Sequence, residues 1–233
     1  MTQKKTPGSG SRGLTVRVKT AKSRTVSSAR WLERQLNDPY VAEARRRGFR
    51  SRAAFKLEQL DDKLRFLKPG GRVVDLGAAP GGWTQVAIAR TGADKGRGKV
   101  VGIDLLPIEP IADATLIEGD FLAEDAPDKL KALLDGPADV VLSDMAASTV
   151  GHARTDHLRI MALAEAAYAF AQEVLAPGGA FVCKLFQGGA QQELQQMLKQ
   201  DFETVRYVKP PASRAESSET YIVATGYRGG RGL

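Results

Sequence analysis

The chain has 233 residues, 42% of them hydrophobic and 26% charged, which suits a single domain with tails and a core large enough to need no disulfide or metal staple. No run of about 18 apolar residues occurs, which excludes a transmembrane helix, and the lone cysteine, Cys183, excludes an internal disulfide and fits a reducing, cytoplasmic setting. The net charge of +7 is uneven: residues 1–56 hold 15 basic and 3 acidic side chains while the remainder carries −5, so the basic end points to a polyanion, with nucleic acid ahead of a membrane surface.

Residues 1–28 carry Lys4, Lys5, Arg12, Arg17, Lys19, Lys22 and Arg24 and no acid. They read as a flexible basic tail. They lack the apolar block of a secretory signal; a basic, serine-rich, acid-free stretch also fits a mitochondrial presequence, which the sparse apolar residues make the less favoured reading. Residues 29–226 read as one domain and 227–233 as a second flexible end. Ser27 or Ser28 can cap a helix through Leu36. Asp38-Pro39 fits the N-cap and first position of the next helix, which stops at Gly48. Ser51 can cap a third helix carrying Ala54, Phe55, Leu57, Leu60 and Leu64. Arg45, Arg46, Arg47, Arg50 and Arg52 surround this junction, as a solvated face or a grip on RNA phosphates.

From residue 70 the pattern becomes strand–helix alternation. Short apolar runs fall at 72–76, 100–105, 114–117, 139–143, 180–186, 204–208 and 220–225, with helical stretches at 82–91, 125–134, 156–175 and 190–199. Pro-Gly-Gly at 69–71 and 177–179 reads as a helix stop before a strand. The last two strands have no helix between them and are expected to pair as an antiparallel edge hairpin. The whole predicts an α/β, Rossmann-like sheet of seven mostly parallel strands.

The sequence VVDLGAAPGGWTQ (73–85) falls at the first strand-to-helix crossing, where doubly wound sheets bind ligands. Its spacing departs from the dinucleotide fingerprint, and Pro80 has no N–H for a pyrophosphate. Asp75 brings a negative charge suited to a cation. Asp104 ends the second strand, where a carboxylate can accept from both ribose hydroxyls. Asp120 follows the third and can take an adenine amino group, and Asp144 ends the fourth. Each alone is as consistent with a cap as with a ligand contact. Together with the glycine loop they favour a cationic cofactor, S-adenosylmethionine.

In this order and spacing the chain resembles the FtsJ-type RNA 2′-O-ribose methyltransferases, and within them the bacterial branch that acts on 23S ribosomal RNA. The resemblance runs from about Trp31 to Gly226. It is carried by RSRAAFKL (50–57), DLGAAPGGW (75–83), DLLP (104–107), GDF (119–121), SDMA (143–146), LAPGG (175–179), KLFQG (184–188) and SRAESSETYIVATG (213–226). It implies a class I methyltransferase fold and S-adenosylmethionine as donor, with Gly81, Trp83, Asp104, Asp120 and Asp144 in contact with it. It implies a catalytic tetrad of Lys56, Asp144, Lys184 and Glu219, with Lys184 as proton acceptor. It also implies 23S ribosomal RNA in the large subunit as partner, the A-loop uridine as target, and no metal. Nothing in the sequence calls for a membrane or an obligate protein partner. Ala147-Ser148 departs from the Pro-Asn that often follows SDMA in the family, at a loop expected to border the acceptor. A relative acting on transfer RNA or mitochondrial ribosomal RNA, and a non-catalytic ribosome-assembly factor on the same scaffold, remain the alternatives.

The residues make chemical sense of that implication. A base for a 2′-hydroxyl must be a neutral amine. Burial, a sulfonium and Lys56 favour the neutral form of Lys184, whereas Asp144 and Glu219 favour the charged one. Cys183, next to Lys184 on an alternating strand, faces the other way and reads as core rather than as a nucleophile for carbon methylation. His152 and His157 have too few companion ligands for a metal site, and a helix entrance capped by Thr155 or Asp156 accounts better for that stretch.

Overall fold

The structure, a computed structural model, describes residues 25–147, 153–186 and 191–229. The basic tail lies outside the described residues up to position 24. The Thr25 hydroxyl accepts from the Ser28 N–H at 3.3 Å and caps α1, Val26–Asn37. The helix therefore starts ahead of the serines expected to cap it, because extended Thr25 reaches the third helical N–H just as well. Asp38 caps α2, Pro39–Arg47, through the Tyr40 N–H at 3.0 Å, and Gly48 ends it in the left-handed conformation at φ 73°.

The start of α3, Ala53–Leu64, differs from expectation. Arg52 occupies its cap without a side-chain bond. The Ser51 hydroxyl is instead turned toward Gly82, the first residue of α4, Gly82–Thr91, where an added Cβ would stand 2.3 Å from it. Glycine at 82 is what lets the two helices begin side by side. The end of α3 also differs. The helix stops at Leu64, with Arg65 left-handed at φ 52°, and not at the Pro-Gly-Gly of 69–71. The buried Asp61 carboxylate accepts from the Leu67 N–H at 2.8 Å and turns the chain before the proline is reached.

Seven strands form one sheet in the order β3-β2-β1-β4-β5-β7-β6. They are β1 Arg72–Leu76, β2 Lys99–Asp104, β3 Thr115–Glu118, β4 Ala138–Ser143, β5 Leu175–Phe186, β6 Phe202–Val208 and β7 Glu219–Tyr227. The first five pair in parallel, and β7 lies antiparallel between β5 and β6. The terminal hairpin forms at an edge of the sheet as expected, with β6 as its outer strand. The reason is visible in the side chains: β7 buries Thr220 through Ala224 in succession, whereas β6 keeps Glu203, Arg206 and Tyr207 exposed.

One face of the sheet is covered by α5 (Ala126–Leu134), α6 (Ala153–Val174) and α7 (Gln191–Asp201), through a core that joins Leu130, Phe170, Phe181 and Phe202. The other face is covered by α3 and α4, through Leu57, Leu60, Trp83, Val86 and Tyr221. Thr155 and Asp156, expected to cap α6, lie inside the described helix Ala153–Val174, which passes directly into β5 at Leu175. Pro177-Gly178-Gly179 therefore falls inside the opening of β5, where the register to β4 shifts, and does not end the helix. Among the described residues, no helix is long and apolar enough to cross a membrane. Nor do three His, Cys, Asp or Glu side chains among them approach closely enough to hold a metal. His152, Ser148 and Gly188 lie outside the described residues.

Candidate active site

At the carboxyl ends of the parallel strands, β1 leads to α4 on one face and β4 to α6 on the other. This is the switch point at which such sheets open a crevice. A cavity of about 240 Å³ lies there, lined by Gly77, Ala79, Asp104, Leu106, Asp120 and Asp144 among others. Asp104 fixes two loops at once: Oδ1 accepts from the Leu106 N–H at 2.8 Å and Oδ2 from the Ala79 N–H at 2.9 Å. Asp120 Oδ1 accepts from the Leu122 N–H at 2.9 Å. Both acids thus shape their own turns, as an Asx turn does, while facing the cavity.

Gly81 and the Trp83 side chain stand elsewhere. Gly81, at φ 110°, is the N-cap of α4 and, having no side chain, makes no cap bond of its own. The Trp83 indole is 3% exposed and donates to Ala53 O at 2.9 Å, so it packs α4 onto α3. Of the acids at the strand ends, Asp75 is fully buried. Burial pushes its carboxyl up to about 7, and Asp144 and Asp104 add to the rise against the hydrogen bond from the Thr84 hydroxyl at 2.7 Å.

The four residues of the implied tetrad come together as two ion pairs. Lys56 Nζ, from the second turn of α3, lies 2.8 Å from Glu219 Oε1 at the start of β7. Lys184 Nζ, on β5, lies 3.1 Å from Asp144 Oδ1 and donates to the Asp144 carbonyl. Both lysines are 8% exposed. Burial of the two lysine side chains is tolerable because each has an acid and a further acceptor.

A fifth residue joins the pairs. The Tyr221 hydroxyl accepts from Lys56 Nζ at 3.2 Å and donates to Asp144 Oδ1 at 3.0 Å. Sequence reading passed over it. The signal was present, since Tyr221 follows Glu219 by two on a strand and so shares its face, and Lys184 is its register partner on β5. Beyond Lys56 and Glu219 a second opening of about 380 Å³ is lined by Arg52, Arg214, Glu216 and Ser217. The linked side chains thus stand between an acid-lined cavity and a partly basic one.

The arginine run divides. Arg52 Nε lies 3.0 Å from Asp38 Oδ2, and its guanidinium also donates to Ala212 O. Arg50 holds main-chain carbonyls, Arg46 pairs with Glu43, and Arg47 makes two bonds to Glu58 at 2.8 and 2.6 Å while stacking 4.5 Å over Phe49. Much of what reads as an RNA grip in the sequence is therefore framework.

The family model for FtsJ-like methyltransferases matches residues 49–227, a span that includes every one of these side chains except Arg46, Arg47, Asp38 and Glu43. The chain belongs to the FtsJ-like methyltransferase family. It is 65% identical over 225 residues to the ribosomal RNA large subunit methyltransferase E of Paramagnetospirillum magneticum, covering 96% of this chain and 92% of that one. It is 60% identical to the protein of the same name from Parvibaculum lavamentivorans, covering 94% and 89%. Among solved structures, one described as a ribosomal RNA methyltransferase from Plasmodium falciparum superposes with a TM-score of 0.70 at 33% identity, over 78% of this chain and 100% of that one. The sheet order and the crossing at β1 are thus those of an FtsJ-like methyltransferase.

Proposed function

We propose that this FtsJ-like enzyme transfers a methyl group from S-adenosylmethionine to the 2′-hydroxyl of a ribose in RNA, and that the ribose is that of the A-loop uridine of 23S ribosomal RNA in the large subunit. The observation that carries the reading is the linked series Glu219, Lys56, Tyr221, Asp144 and Lys184 between the two openings. The names of the 60–65% identical relatives support the choice of ribosomal RNA.

The residues present fit the donor. The cavity offers the carboxylates of Asp104, Asp120 and Asp144 beside apolar Leu106, Phe121 and Met145, and among the described residues no lysine or arginine lines it. This suits a cationic nucleoside and not a pyrophosphate. Asp104 holds the donor's ribose hydroxyls and Asp120 its adenine amino group. Gly81 and Trp83 serve through the backbone at the start of α4, where N–H groups attract a carboxylate. Bound there, the donor supplies a methyl group already activated on a sulfonium.

The chain's own side chains then position the acceptor and move one proton. Lys184 Nζ, as a neutral amine, takes the proton from the 2′-hydroxyl as its oxygen becomes the nucleophile. Asp144 fixes that amine through its carboxylate and its carbonyl. Lys56, held by Glu219, steadies the negative charge that develops on the acceptor oxygen. Specificity for ribose follows, since deoxyribose offers no such hydroxyl. The proposed setting is the cytoplasm, with the RNA in the large subunit or its precursor. The test is to incubate large subunits from cells lacking the gene with labelled S-adenosylmethionine and map the label. A 2′-O-methyl on the A-loop uridine is expected. Label on a base, or in transfer RNA alone, overturns the reading.

A further inference from the structure

Arg50 stands in the short loop between α2 and α3. Its backbone N–H donates to Gln85 Oε1 at 2.8 Å, and Gln85 Nε2 donates to Gly48 O at 3.0 Å, so α4 holds this loop at two points. The guanidinium reaches outward from there. Nη1 donates to Pro80 O at 3.3 Å and to Glu109 O, and Nη2 donates to Pro110 O at 2.7 Å. All three acceptors are main-chain carbonyls. Pro80 belongs to the glycine loop after β1, and Glu109 and Pro110 belong to the connection between β2 and β3.

Those two segments are the walls of the acid-lined cavity, through Gly77 and Ala79 on one side and Leu105 and Leu106 on the other. They also press on each other. Ile111, from the same connection, leaves only 2.4 Å between its Cδ1 and a Cβ placed on Gly81, and Arg50 Cδ leaves 3.2 Å. Only a guanidinium has enough fixed donors, spread widely enough, to hold three carbonyls from two segments; an ammonium is a single point on a flexible stem.

We infer that Arg50 is a positioning residue for the donor cavity. It clamps the β2–β3 connection onto the glycine loop, sets the width of the gap between them, and ties that gap to the α2–α3 loop. The inference rests on the reading of this cavity as the S-adenosylmethionine site. It gives Arg50 a duty distinct from the phosphate contact that the basic run in the sequence suggests.

The test uses the full chain with Arg50→Ala and Arg50→Lys. Donor binding is measured by calorimetry, kcat and KM by methyl transfer, and RNA affinity at several salt concentrations. Hydrogen exchange reports on residues 105–114. The donor Kd and KM are expected to rise about tenfold, the scale of lost charge-assisted hydrogen bonds. RNA affinity and its salt slope stay unchanged, exchange across 105–114 quickens, and lysine restores little. An unchanged donor Kd overturns the inference. So does a loss confined to RNA affinity with a flattened salt slope, which would mark a phosphate contact. If Arg50→Ala does not fold, Arg50→Lys carries the same comparisons. A wild-type protein that fails to bind S-adenosylmethionine would sink the functional reading instead, and the exchange comparison without donor would still test the clamp.

Discussion

The hydroxyl of Tyr221 donates to Asp144 while accepting from Lys56, at 3.0 and 3.2 Å. Two ion pairs that would otherwise be separate are thereby one hydrogen-bonded unit. Burial first, then the charges of Asp144 and Glu219, push the phenol well above its ordinary value, so it remains a donor across the working range of pH. Tyr221→Phe keeps the ring against Trp83 and removes only the bridge. The expected result is a fall in kcat of about tenfold to a hundredfold, the scale of one buried hydrogen bond to a charged group, with donor affinity unchanged. Single-turnover methylation alongside calorimetry measures both. Undiminished kcat would mean the two ion pairs act independently.

Lys184→Ala is expected to lower kcat by about a hundredfold or more, the range of general-base catalysis. Donor binding should persist. Arginine should not rescue, because it stays protonated and cannot accept the 2′-hydroxyl proton. Full methylation by either variant would remove Lys184 from its role.

Asp75 predicts a pH dependence of stability. Its folded value, about 7, lies above its ordinary one, so the folded state binds the proton more tightly. Stability from this group is therefore present at low pH and is lost as pH rises from the ordinary carboxylate range through about 7, after which the loss is complete. Asp75→Asn keeps an acceptor for the Thr84 hydroxyl and removes the titration. Melting curves between pH 4.5 and 8 should show the wild type losing stability relative to this variant as pH rises. Parallel curves would contradict the assignment.

The arginines should separate by task. Arg45 is exposed, and no hydrogen bond or ion pair holds its side chain among the described residues. Arg45→Gln is expected to weaken RNA binding and reduce the salt slope by about one, with melting unchanged. Arg52 is largely buried on Asp38. Arg52→Gln is expected to destabilise the fold by about 1–3 kcal/mol, because the buried Asp38 loses its nearer cation and keeps only Arg214 at 3.5 Å. Filter binding across salt concentrations and thermal melts distinguish them. Equal effects on binding with no change in melting would return Arg52 to the RNA surface.

Cys183 is 1% exposed, and burial pushes its thiol up to about 12. Cys183→Ala should retain methyl transfer, and the native protein should resist thiol reagents. Loss of activity with the fold intact would point to a nucleophilic role.

The sequence by itself determined most of the layout. Short continuous apolar runs suit strands covered on both faces, and Asp38-Pro39 with Gly48 bracketed α2 because caps act within one turn of the chain. It also brought Asp104, Asp120 and Asp144 to the strand ends, because a strand's end is a local fact. Tertiary structure decided what distance along the chain conceals. Ser51 met Gly82 instead of capping α3, and Asp61 ended that helix before the Pro-Gly-Gly. Tyr221 became the bridge only because α3, β4, β5 and β7 converge on it. The arginines read as one basic run until Asp38, Glu43, Glu58 and the carbonyls of two loops claimed most of them. Charge is written in the sequence, but its partner is chosen by packing, since a guanidinium is satisfied by whichever acceptor the fold brings within hydrogen-bond reach.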